Sequence, residues 1–121
     1  MPEKPSGITI YHNPACATSR KVLGLLRDAG TKPLVVEYLK TPPTRAEMQG
    51  LLTAMGLTPR QILRRKGGLF SELGLDDPGK TDDQILDALA AHPVLMERPI
   101  VVSPRGTAVC RPPGRVEALL T

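Results

Sequence analysis

Tryptophan is absent from this chain, and Tyr11, Tyr38 and Phe70 are its only other aromatic residues. Proteins that hold single-stranded nucleic acid stack bases on aromatic side chains, and this chain has almost nothing to offer for that. The formal charge of +4 does not restore the case, because the basic residues are scattered and interleaved with acids. An anionic small molecule suits that balance better than a polynucleotide. Apolar runs near 18 residues are also missing, as is a charged-then-apolar leader, so neither a membrane span nor a secretory signal is expected. A cytoplasmic setting follows as the expectation. Cysteine is sparse, with only Cys16 and Cys110, too few for a disulfide framework. There is no C-x-x-C and no H-x-x-x-H, so zinc-ligand spacing is lacking and no metal is expected. A phosphatase-type loop would need C-x5-R, but the sixth residue after Cys16 is Val22. Internal repeats and low-complexity segments are absent as well.

What remains is a chain of 121 residues with the pattern of one globular domain. "ITIY" at 8–11 reads as a strand, and Asn13 with Pro14 marks the turn after it. Val22, Leu25, Leu26 and Ala29 recur at helical spacing until Gly30 supplies a stop. "LVVEY" at 34–38 is a second strand, which should run parallel to the first. Three capping boxes follow: Thr44 with Glu47, Thr58 with Gln61 behind Pro59, and Thr81 with Gln84. Each opens a helix, and Gly67 with Gly68 should end the middle one. "IVV" at 100–102, the turn "SPRG" and "TAVC" at 107–110 form an expected antiparallel hairpin. Val116, Leu119 and Leu120 suggest a last helix. The layout is α/β, a mixed four-stranded sheet with a helical insertion between the second and third strands. We read residues 1–121 as a single domain, with a core at 7–39 and 98–121 and the insertion at 40–97.

That order follows the thioredoxin and glutaredoxin plan, in which a reactive cysteine stands between the first strand and its helix. Cys16 is in that place, with Ala17, Thr18 and Ser19 forming the start of the helix around it. Free backbone N–H groups and the positive end of the helix dipole stabilise a thiolate there. A protonated His12 nearby would add to the effect. The bland alternative is that Cys16 packs as a small apolar residue and His12 closes a strand end. "CATS" offers no neighbouring thiol, so an adduct on Cys16 must be resolved by an external thiol or by Cys110 approaching in space. Beside Val109 at a strand end, Cys110 reads as a buried structural thiol.

"ITIYHNPACATSRKVL", "YLKTPPTRAEM", "ILRRKG", "ELGL", "TDDQILDALAAHPVLMERPIVV" and "GTAVCRP", in that order, closely resemble the glutaredoxin-coupled arsenate reductases of the ArsC family. The resemblance spans about residues 8–113 and implies a thioredoxin-like fold that reduces arsenate to arsenite with electrons from glutathione and glutaredoxin. No bound cofactor is implied, and glutathione enters as co-substrate. Cys16 corresponds to the nucleophile, and His12 to the histidine thought to favour its thiolate. Arg64, Arg98 and Arg111 correspond to three oxyanion-binding arginines. Arginine suits that task because its planar fork can bond two oxygens at once and stays protonated. Arg98 precedes Pro99 at a strand start, where thioredoxin-like folds place a cis proline, so a cis bond is expected. Arg20 and Arg65 read as surface charges. Ala17 departs from the glycine many family members carry after the nucleophile.

Two rivals stay open at this point. One is a glutathione-dependent thiol reductase of the same fold with another substrate. The other is a Spx-like regulator that binds RNA polymerase, although its redox-switching forms use the C-x-x-C missing here. Nothing demands a dimer, and a monomer is expected.

Overall fold

The computed structural model describes residues 7–120. Strand β1, Thr9–His12, alternates half-buried and buried positions, with Ile10 and His12 turned inward. That period of two is what a pleated strand with one packed face produces. Helix α1, Ala17–Asp28, buries Val22, Leu23 and Leu26 on one face. It ends in a Schellman turn: Gly30 has φ +81°, its N–H donates to the Arg27 carbonyl at 2.9 Å, and the Thr31 N–H donates to Leu26 at 3.2 Å. Strand β2, Leu34–Glu37, then pairs parallel with β1, placing His12 opposite Glu37. A parallel return directly after a strand requires such a crossover helix.

Strands β3, Ile100–Ser103, and β4, Gly106–Val109, form the expected hairpin. Ser103 faces Gly106 across a two-residue turn, and the Arg105 N–H donates to Ser103 Oγ at 3.0 Å. β3 lies antiparallel to β1, so the sheet order is β2-β1-β3-β4. This is the mixed four-stranded sheet anticipated from the sequence. Its core joins Ile8, Ile10, Val22, Leu23, Leu26, Val101, Cys110, Val116 and Leu119. The expected last helix is a 3-10 segment, Pro113–Leu119, packed on α1, β3 and β4. Val116 and Leu119 are three apart, and three residues per turn put both on one buried side.

By internal packing the chain divides into two compact units, one running to Thr41 and resuming at Arg98, the other Pro42–Glu97. Thr121, the last residue assigned to the core above, lies outside the described residues. The second unit holds α2, Arg45–Met55, a 3-10 turn Pro59–Ile62, the short α3, Leu69–Glu72, α4, Asp82–Ala91, and a 3-10 turn Pro93–Leu95. The three expected capping boxes each open a helical segment. α4 packs against α2 and both 3-10 turns, burying Ile85, Leu86 and Leu89. Arg45 adds bonds to Asp87 at 2.7 Å and Asp83 at 3.0 Å on the solvent side.

One expectation fails in this unit. Gly67 and Gly68 do not end the middle helix; that segment closes at Ile62, because Leu63 turns extended and bridges to Met96. The Arg64 N–H donates to the Leu95 carbonyl and the Glu97 N–H to that of Ile62, so tertiary pairing overrides local helix propensity. The glycines instead lead into α3, which no capping or periodic signal had marked. Arg98–Pro99 is cis, the expected isomer, and Arg111–Pro112 is cis as well. Among the described residues no helix is long and apolar enough to cross a membrane.

Candidate active site

The loop from β1 to α1 is built around Asn13. Its Oδ1 accepts the Ala15 N–H at 3.0 Å and its carbonyl accepts the Cys16 N–H at 3.0 Å, a local turn that asparagine favours. Cys16 follows as the N-cap residue of α1, with extended backbone (φ −94°, ψ 120°) and its carbonyl taking the first helical bond, from Arg20 at 3.0 Å. The first-turn amides of Ala17, Thr18 and Ser19 therefore have no carbonyl of their own helix to donate to. Ala17 is exposed, Thr18 half-buried and Ser19 buried, while Cys16 is half-buried, open enough for a small reactant.

Two of the sequence-predicted arginines converge on the sulfur. Arg111 Nη1 lies 3.8 Å from Cys16 Sγ and donates to the Arg98 carbonyl at 3.1 Å. Arg98 is itself buried and directs its side chain to the same thiol. Both reach the site because β3 runs beside β1 and β4 beside β3: Arg98 stands just before β3, and Arg111 just after β4. Burial pushes the Cys16 thiol up, but the Ser19 backbone N–H, Arg98 and Arg111 more than offset it, and the net shift is downward. Cys16 completes no side-chain cap hydrogen bond; the Ser19 amide nonetheless favours the anion.

The reactive form of a thiol is its thiolate, so reactivity is present above the folded pKa and lost as pH falls through it. Alkylation of Cys16 by iodoacetamide should therefore persist to a lower pH in the native protein than in the urea-unfolded chain. Coinciding midpoints would show that the fold does not activate the sulfur. Cys110 should stay silent in the native protein, since burial pushes its thiol up to about 11. It packs in the core with its Sγ toward the Ala108 carbonyl at 3.8 Å.

His12 ends β1 and is buried. Its buried ring has Nδ1 2.6 Å from Ser19 Oγ, and the Asn13 N–H donates to that same oxygen at 3.0 Å. Burial lowers the His12 pKa, Glu37 opposes that, and Arg27 and Arg20 add to the lowering. These surroundings favour the neutral ring. Arg20 is exposed as expected, yet it donates to the Pro14 carbonyl at 2.8 Å and braces the loop before Cys16. Arg64 belongs to the second unit, half-buried, and Arg65 there sits over the Phe70 ring at 5.7 Å. Among the described residues no cluster of three or more His, Cys, Asp or Glu could hold a metal ion. Sequence reasoning missed the parts played by the Asn13 side chain and the Ser19 hydroxyl; the Asn-Pro turn signal and the C-x-x-S spacing marked both positions without revealing their partners.

A cysteine at the head of the helix after β1, with a cis proline just before β3, defines a thioredoxin-like thiol protein. The model of the ArsC family matches residues 11–119, and the chain belongs to that family. It is 57% identical over 105 residues to an arsenate reductase of Rhizobium meliloti, covering 87% of this chain and 75% of that protein. An arsenate reductase of Escherichia coli K12 is 50% identical over 107 residues, covering 88% and 76%. Among solved structures, an arsenate reductase from Vibrio cholerae superposes with a TM-score of 0.91 at 40% identity, covering 96% of this chain and 99% of that one.

Proposed function

We propose that the chain is a cytoplasmic oxidoreductase that reduces arsenate to arsenite through Cys16. The observation that carries this reading is the Arg111 guanidinium 3.8 Å from Cys16 Sγ, with buried Arg98 directed at the same sulfur. A thiolate meeting an oxyanion is repelled unless fixed cations offset both charges, and guanidiniums placed before the reaction do so without reorganisation. The Cys16 thiolate attacks arsenic, an As–S bond forms, and an arsenate oxygen leaves as water after protonation. A glutathione thiolate then attacks Sγ. An S–S bond forms, the As–S pair goes to arsenic, and As(V) becomes As(III). Glutaredoxin resolves the Cys16 mixed disulfide by thiol exchange. The absence of a second thiol at Ser19 and the burial of Cys110 both fit an external donor.

Arg64 joins this reading on the sequence resemblance alone. Arg64→Ala should raise the KM for arsenate about tenfold or more, the size of one charge-assisted contact. An unchanged KM would remove Arg64 from the oxyanion set. The reading as a whole is tested by arsenate-dependent NADPH oxidation, coupled through glutathione, glutaredoxin and glutathione reductase. Turnover that requires arsenate and both thiol donors supports it. No turnover, with Cys16 still accepting glutathione, would make the protein a thiol reductase for another substrate.

A further inference from the structure

Ser19 occupies the position where a C-x-x-C protein holds its second cysteine, and the cycle above uses only its backbone. Its side chain is fully buried. The hydroxyl sits 2.6 Å from His12 Nδ1 and accepts the Asn13 N–H at 3.0 Å. These partners close β1 and open the loop, while Ser19 is the third residue of α1. One oxygen thus ties the strand end to the first helical turn, across the loop that carries Cys16. A hydroxyl has one proton to give and two acceptor sites. The Asn13 amide occupies one acceptor site, and the proton then suits an unprotonated Nδ1 on a neutral imidazole.

We propose that Ser19 is a positioning residue for the Cys16 thiolate, its hydroxyl held by neutral His12 so that its own amide in the first turn of α1 stays directed at the sulfur. It is a pin in this site and not a resolving group. His12 then acts through Ser19 and not by its charge, which agrees with the lowered pKa that burial gives the ring. The proposal rests on the reading above only in taking Cys16 as the nucleophile. The groups that bear on the thiol are the Ser19 amide on α1, Arg98 before β3 and Arg111 after β4. Those that bear on His12 are Glu37 on β2 and Arg20 and Arg27 on α1. Replacing the Ser19 side chain removes none of them.

The experiment follows the pH dependence of Cys16 alkylation by iodoacetamide in the full-length protein, with no arsenate present. Ser19→Ala should move the midpoint up by about one unit, slowing alkylation roughly tenfold below both midpoints. Ser19→Thr keeps the hydroxyl and should return the rate to within about twofold of the parent. His12→Ala, which removes the tie from its other end, should shift the midpoint the same way as Ser19→Ala. His12→Asn, whose uncharged amide can still bond the hydroxyl, should shift it less. An unmoved midpoint in Ser19→Ala, or Ser19→Thr as slow as Ser19→Ala, overturns the proposal. If Ser19→Ala does not fold, an unmoved midpoint in His12→Ala overturns it instead. Because alkylation needs no arsenate, failure of the arsenate reading would leave this result standing, and the reverse also holds.

Discussion

Cys16→Ser should abolish arsenate turnover, by on the order of 1,000-fold or more, while leaving thermal stability within about 1 kcal/mol of the parent. The activity loss follows from acidity. Every device around the sulfur, from the Ser19 amide to Arg98 and Arg111, lowers a thiol pKa that already starts within reach of neutrality. A serine hydroxyl starts so far above it that the same contacts cannot yield a useful population of alkoxide. The intact fold follows from position. Cys16 is a half-buried N-cap outside the core, and serine is among the better N-cap residues because its oxygen can accept a first-turn N–H. The coupled assay and a thermal melt of the two proteins check both halves. Residual turnover above about 1% of the parent, about ten times what a 1,000-fold loss leaves, would assign the chemistry to another group. A melt lowered by many degrees would mean that the sulfur has a packing role that its exposure does not suggest.

How much of this was legible beforehand differs by kind of signal. Short-range chemistry was readable: the capping boxes at Thr44, Thr58 and Thr81 open helical segments because side chain and backbone partners lie three residues apart in the sequence itself. Periodicity placed β1, α1 and β2, and Gly30 ended α1 through the left-handed turn that glycine accepts most readily. What depended on distant partners was not readable. The turn Pro59–Ile62 stops short because Leu63 pairs with Met96, more than thirty positions away, and no local rule announces that. The site shows the same division. Cys16 was marked by its place after a strand and before a helix, and Arg98 and Arg111 by resemblance. The meeting of those arginines at the sulfur comes from β3 lying beside β1 and β4 beside β3, a product of topology. The contact of the His12 ring with Ser19, seven positions on, likewise depends on how the loop folds back and has no local signal.

Arg111 carries the second large effect, and comparing alanine with lysine there separates its two contributions. Arg111→Ala should lower kcat/KM for arsenate by roughly 100- to 1,000-fold, the range found when one preorganised donor to a developing oxyanion is removed. It should also raise the Cys16 midpoint in alkylation, because one of the groups favouring the thiolate is gone. Arg111→Lys restores a positive charge but not a planar fork. In the parent, Arg111 Nη1 reaches both Cys16 Sγ at 3.8 Å and the Arg98 carbonyl at 3.1 Å, so the guanidinium is anchored while it faces the sulfur. A lysine ammonium is a flexible point charge with no second nitrogen to span sulfur, carbonyl and oxyanion together. The lysine variant should therefore recover most of the alkylation midpoint while remaining at least about tenfold impaired in kcat/KM. Full recovery of turnover by lysine would mean that charge alone suffices and that the fork geometry is incidental. Failure to recover even the midpoint would mean that the anchor on the Arg98 carbonyl, and not the charge, is what brings Arg111 to the thiolate.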